Sequence, residues 1–274
     1  MKRQYFIVGL GMIGASYAKK LSELGHLVYG YDKSEETNKL AVEKGYIKAF
    51  GKQYIKNSDL VILCLYPNDN YLFVKENIAY FKNVKLVTDV SGIKQELTIK
   101  LKNVLKDISD YISHHPMAGN ERSGIEAADE TVFLGANFLI INDEISNHDS
   151  LNPLRELANY LGFNKISLID SKTHDLLISF TSQLPHVIAV SLVNSDIFKE
   201  TKYFTGDSYK DLTRIAKINY NLWTELFLAN KENLISQMER FKENFEKILT
   251  TIKEKDKLQL ENLLKEAKEK RENY

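Results

Sequence analysis

The run Tyr5-Phe6-Ile7-Val8 leads directly into Gly9-Leu10-Gly11-Met12-Ile13-Gly14, so an apolar strand pattern turns through three glycines into a helical one. Each glycine has its own task in such a turn. The first permits the tight bend, the second lets backbone approach a pyrophosphate, and the third lets the helix lie close on the strand. The helix start also offers unpaired N–H groups and a partial positive charge. Glycines spaced this way also mark ordinary turns, so the weight comes from context. A second apolar run, Leu27-Val28-Tyr29-Gly30-Tyr31, ends at Asp32, eighteen residues beyond Gly14. A carboxylate there accepts hydrogen bonds from the adenosine ribose hydroxyls and repels a 2′-phosphate, favouring NAD over NADP even with Lys33 and Ser34 alongside. The expected cofactor is NAD, held by Gly9, Leu10, Gly11, Met12, Ile13, Gly14 and Asp32.

Further strand patterns fall at residues 60–65, 85–88, 138–141 and 165–169, with amphipathic helical stretches between most of them. This alternation predicts right-handed crossovers and a parallel sheet. After about Asp170 only helical periods remain, over 173–182, 185–193 and a long stretch from 219 to 270. Gly206 is the only glycine beyond Gly162, and Pro185 the only proline beyond Pro153. The predicted fold is α/β: an N-terminal Rossmann-type doubly wound parallel sheet over residues 1–169, then an all-helical C-terminal domain over 170–274.

At 274 residues and 43% hydrophobic, the chain can bury the cores of two domains. Its 37 basic and 37 acidic side chains leave no net footprint for nucleic acid or an acidic membrane. The single cysteine, Cys64, excludes a disulfide framework or thiolate metal cluster within one chain and reads as a buried strand residue. No signal-peptide pattern opens the chain, and no apolar stretch is read as approaching the roughly 20 residues of a membrane helix. The expectation is a soluble, cytoplasmic protein without membrane, nucleic-acid or metal partners. The Lys- and Glu-rich segment 253–274 carries a narrow stripe of Leu258, Leu260, Leu263 and Leu264. It reads as a solvated helix packed on its own domain or on a sister subunit.

The second informative segment is His114-His115-Pro116-Met117-Ala118-Gly119-Asn120-Glu121-Arg122-Ser123-Gly124. Moving a hydride from an alcohol carbon to a nicotinamide needs a base for the hydroxyl proton, and imidazole suits that task near neutral pH. Two adjacent residues of an extended segment point opposite ways. His115, stiffened by Pro116, is the better base, and His114 is expected to pack or orient.

These segments, together with Thr88-Asp89-Val90-Ser91-Gly92-Ile93-Lys94, Ser182-Gln183-Leu184-Pro185-His186 and Asp211-Leu212-Thr213-Arg214-Ile215-Ala216, resemble the prephenate and arogenate dehydrogenase family in order and over nearly the whole chain. The resemblance implies that hydride leaves the hydroxyl-bearing ring carbon of prephenate for NAD while the ring carboxylate departs as carbon dioxide. It implies His115 as the catalytic base with Ser91 in support, and Asp89 at the cofactor. Arg214 would hold a substrate carboxylate, His186, His174, Gln183 and Ser182 would lie at the substrate, and Glu121 at the pocket entrance. Many members place a serine where this chain has Gly92, with Ser91 one residue earlier. The helical half is expected to be a dimerisation domain, giving a homodimer with active sites in the cleft between domains.

Neutral Gln183 is read as favouring prephenate over arogenate, whose ammonium group calls for an acidic partner. The first strand pattern near Met1 is read as leaving no room for a chorismate mutase segment, and the helical end as leaving none for an ACT domain. The alternatives are arogenate dehydrogenation, a 3-hydroxy acid dehydrogenase of similar plan using a lysine, or a dinucleotide sensor without turnover.

Overall fold

The computed structural model describes residues 2–119, 122–143 and 148–273. The first half runs β1 Gln4–Val8, α1 Met12–Glu23, β2 Leu27–Tyr31, α2 Glu35–Glu43, β3 Ala49–Phe50, β4 Leu60–Leu63, α3 Pro67–Glu76, β5 Leu86–Asp89, α4 Gln95–Leu105 and β6 Asp110–Tyr111. These six strands form one sheet in the order β3-β2-β1-β4-β5-β6, every pair parallel. Successive side chains of β1 serve two cores. Tyr5 and Ile7 pack with residues of α1 such as Tyr17 and Leu21, while Phe6 and Val8 pack on the opposite side with Val74, Leu97 and Leu101. A strand covered on both faces reads as an unbroken apolar run, which is why Tyr5 to Val8 carries no polar residue.

The chain order reverses between β1 and β4, and in such sheets ligands bind beyond the carboxyl ends of the strands at that point. The glycine-rich turn leaves β1 there.

The later strands depart from the expectation of a single parallel sheet. β7 His114–His115, β8 Asn137–Ile141 and β9 Lys165–Ile169 form a separate three-stranded sheet in which β7 pairs antiparallel with β8. Helix α5 Asn152–Leu161 joins β8 to β9 and buries Leu154, Leu157, Ala158 and Leu161. Cys64 lies just past β4 and is only half-buried, with its thiol pushed up by burial.

Beyond Ile169 the described residues are helical or in turns. Asp170 caps α6 Ser171–Ile178 by accepting from Thr173 N at 2.8 Å. A single π-helical turn, Ser179–Gln183, joins α6 to α7 Leu184–Asn194. This continuous 24-residue helical run, Ser171–Asn194, is long and apolar enough to span a membrane by length and composition. It corrects the reading that no stretch approaches that length. The remaining helices are α8 Asp207–Thr213, α9 Tyr220–Ala229, α10 Lys231–Glu254 and α11 Lys257–Glu272. The stretch expected to be continuous from 219 to 270 is thus broken at Asn230 and at Lys255, where φ is +57°. Ile197, Phe198 and Phe204 in this half are largely exposed in the single chain.

Candidate active site

The turn after β1 is built around its glycines. Gly9 has φ +87°, and a Cβ on Gly14 would lie 1.9 Å from the Gly9 carbonyl oxygen, so α1 could not start this close to β1 with any other residue at 14. Gly11 is different. It has an ordinary φ of −70°, and a Cβ added there would meet nothing within 4 Å. Nothing in the protein itself requires glycine at 11, whereas a diphosphate seated on the α1 N-terminus does. Asp32, directly after β2, accepts from Leu10 N and Ser34 N at 2.9 Å each. It braces the turn and keeps lone pairs for ribose hydroxyls. These residues fit a dinucleotide. Gly11→Ala is therefore expected to leave the melting temperature unchanged and to weaken NAD binding at least tenfold by calorimetric titration. Equal affinity would remove the diphosphate from this turn.

The histidine segment is docked on the same helix. The His114 ring is fully buried, with Nε2 2.8 Å from the Tyr17 hydroxyl of α1 and Nδ1 2.6 Å from Thr88 Oγ1 of β5. It also stacks on Phe138. Burial, then the charge of Lys94, pulls its pKa down to about 3, so it is neutral and structural. Further along, Asp129 N donates to Ser16 Oγ of α1, and a Cβ on Gly119 would sit 3.8 Å from Met12 Cε. Two residues after His115, Met117 holds a left-handed φ of +34°. The loop after β7 therefore lies across the helix that the glycine-rich turn opens.

His115 points the other way from His114, as neighbours on a strand must. Its Nδ1 lies 2.9 Å from Nε2 of His174 on α6, whose Nδ1 lies 2.7 Å from Asp175 Oδ1. Burial, then the neighbouring imidazole of His174, holds His115 well below the usual imidazole value, so it stands as a free base at neutral pH. His174 is lowered too, by burial against the opposing pull of Asp175.

Behind these rings lies a charge pair that sequence reading did not assign. Lys94, fully buried, donates from Nζ to Asp89 Oδ1 at 2.9 Å and to the His114 carbonyl at 2.7 Å. Asp89 also accepts from the Tyr111 and Ser113 hydroxyls and from Ser91 N. Burial alone would raise the Asp89 carboxyl, but Lys94 and these donors outweigh it and hold it below the ordinary carboxylate range. Asp89 has no exposed surface, so its place at the cofactor is corrected: it anchors Lys94 and the strand end. The Ser91 hydroxyl accepts from Asn70 Nδ2, whose side chain also brackets the Leu65 backbone beyond β4.

The helical half brings a second cluster. His186 donates from Nδ1 to the Ser182 carbonyl at 2.8 Å and stacks on Trp223 with 3.6 Å between ring centres. Gln183 is 1% exposed and spends its amide on Leu226 O and Asn230 Nδ2. It ties the π turn to α9 and α10 and does not face a substrate, so its neutrality says nothing about substrate choice. Arg214 is exposed at the start of a short turn, Arg214–Ala216, that packs on α7. Glu121 lies outside the described residues. The halves meet through Asn219 Nδ2 to the Tyr66 hydroxyl, and through Lys94 N and Gln95 N to the Asp175 carboxylate. Of the residues missed, Asp175 had a visible signal in its adjacency to His174. Lys94 had only its place in the 88–94 segment.

A phosphate-ready helix start at the reversal point of a parallel sheet, overlain by a loop that presents a neutral imidazole, is the plan of a dinucleotide-dependent dehydrogenase. The models that match are the prephenate dehydrogenase nucleotide-binding domain, over residues 17–166, and the prephenate dehydrogenase dimerization domain, over residues 170–266. The chain belongs to the prephenate dehydrogenase family and is an oxidoreductase.

Prephenate dehydrogenase of Lactococcus lactis is 31% identical over 98% of this chain and 77% of its own. That of Bacillus subtilis is 28% identical over 99% of this chain and 76% of its own. The crystal structure of prephenate dehydrogenase from A. aeolicus, in complex with hydroxyphenyl propionate and NAD+, superposes with a TM-score of 0.89 at 28% identity. That match covers 100% of this chain and 98% of the other.

Proposed function

We propose that this chain oxidises and decarboxylates prephenate to 4-hydroxyphenylpyruvate with NAD, using His115 as the base. The observation that supports this most is the docking of the His115 loop onto α1, the helix whose N-terminus the glycine-rich turn exposes. NAD, when bound, supplies the hydride acceptor. His115 accepts the proton of the ring hydroxyl as the C–H bond at the same carbon breaks, and its neutral state makes it ready to do so. Loss of the ring carboxylate as carbon dioxide then leaves an aromatic ring, which makes the step irreversible. Ser91, held by Asn70 beside the β4 end, supports the site at its sheet side.

Arg214 would offer a planar fork of donors to a substrate carboxylate from the turn that packs on α7, where His186 stacks on Trp223 and donates to the carbonyl of Ser182 in the preceding π turn. Buried Gln183 does not bear on the choice of prephenate over arogenate, which rests on the relatives. The exposed apolar residues of the helical half, including Ile197, Phe198 and Phe204, support a homodimer, with the Ser171–Asn194 run as part of the packed helical domain.

Arg214→Ala is expected to raise KM for prephenate about 10- to 100-fold, the equivalent of one lost charged hydrogen-bonding contact, with NAD affinity unchanged. An unchanged KM would take the carboxylate away from Arg214.

A further inference from the structure

Asp175 belongs to the helical half, yet its carboxylate sits at the N-terminus of α4. Oδ1 accepts from Lys94 N and Oδ2 from Gln95 N, each at 2.8 Å. Two backbone amides and a helix start favour a carboxylate in its ionised, acceptor-only form. The third group on that carboxylate, His174 Nδ1 at 2.7 Å, must then carry a hydrogen. A neutral imidazole protonated at Nδ1 has only a lone pair at Nε2. The group 2.9 Å from it, His115 Nδ1, must be the donor. That leaves the lone pair of His115 on Nε2, the nitrogen turned away from His174.

We propose that Asp175 and His174 are positioning residues that fix His115 in the Nδ1–H tautomer, so that Nε2 is the atom that takes the substrate hydroxyl proton. The inference rests on His115 being the base and adds what makes it one. When Nε2 gains the proton, His115 becomes a cation that still donates through Nδ1 to His174, and the Asp175 carboxylate at the far end of the chain balances the charge. Because Asp175 comes from α6 and its amide partners from the start of α4, the base is set correctly only when the two halves are joined here. Carboxylate and imidazole partners of this kind govern tautomer and orientation in other catalytic histidines.

The test compares three variants of the full chain. His174→Gln can keep the polarity of the relay, its carbonyl accepting from His115 and its amide donating to Asp175, whereas His174→Leu cannot. Asp175→Asn places an amide against groups that all donate. Histidine ring nitrogens are read by 15N NMR on the enzyme with and without NAD, with His115 resonances identified by their loss in His115→Asn. The wild type and His174→Gln are expected to show His115 protonated at Nδ1, while His174→Leu and Asp175→Asn populate the Nε2–H form. Turnover at saturating substrate is expected to fall at least about 100-fold in Leu and Asn but less than tenfold in Gln, with KM and NAD affinity little changed.

A wild-type His115 protonated at Nε2 overturns the proposal. So does equal turnover of the Gln and Leu variants. If the Asn variant does not fold, the Gln and Leu pair decides alone. A wild type that reduces no NAD with prephenate refutes the substrate reading, and the NMR tautomer still decides the relay.

Discussion

His115→Asn is expected to lower turnover of prephenate by about 10²- to 10⁴-fold while leaving NAD binding unchanged. Asparagine keeps a polar group near the His174 ring, and His114 with its Tyr17, Thr88 and Phe138 contacts still anchors β7, so the loop and α1 keep their places. What is lost is a neutral nitrogen able to take a proton as hydride leaves. The loss should appear in kcat more than in KM, because the interaction is strongest in the transition state. Stopped-flow NADH formation with a parallel NAD titration checks both. Wild-type turnover in this variant would mean that another group is the base.

Lys94→Met is expected to destabilise the fold by about 3–5 kcal/mol in urea denaturation, since it leaves the buried Asp89 carboxylate without its cation. The ammonium also holds the His114 carbonyl, so the strand carrying His115 loses its fixing point from below. Adding Asp89→Asn removes the orphaned charge while an amide can still meet some of the Tyr111, Ser113 and Ser91 donors, so the double variant should recover much of the loss. A single variant within 1 kcal/mol of wild type would show that the pair is not a structural anchor.

The tight glycine-rich turn and the opposite facing of His114 and His115 were legible in sequence because both depend on local backbone geometry. A helix start against a strand needs Gly14 whatever the rest of the chain does. Gln183 and Asp89 misled because their roles depend on which way a side chain faces in the assembled fold. The π turn Ser179–Gln183 is wider than 3.6 residues per turn, so a helical pattern extended through it loses phase, and Gln183 turns inward to Asn230. Asp89 looked like a strand-end ligand because nothing local reveals that Lys94 folds back beneath it, and a lysine is almost never fully buried unless paired.

The long apolar period from 219 to 270 hid two breaks because periodicity continues across Asn230 and Lys255 even though the backbone does not. The Asp175 contact joins residues about eighty positions apart, and no local pattern contains it.

The measurement that bears most directly on the central claim follows NADH absorbance on mixing purified protein with NAD and prephenate, with arogenate and NADP in parallel. NADH is expected to form with prephenate and NAD, one carbon dioxide released for each, and little is expected with NADP because the Asp32 carboxylate after β2 would repel a 2′-phosphate. A protein that binds NAD yet reduces none with either ring substrate would contradict that claim.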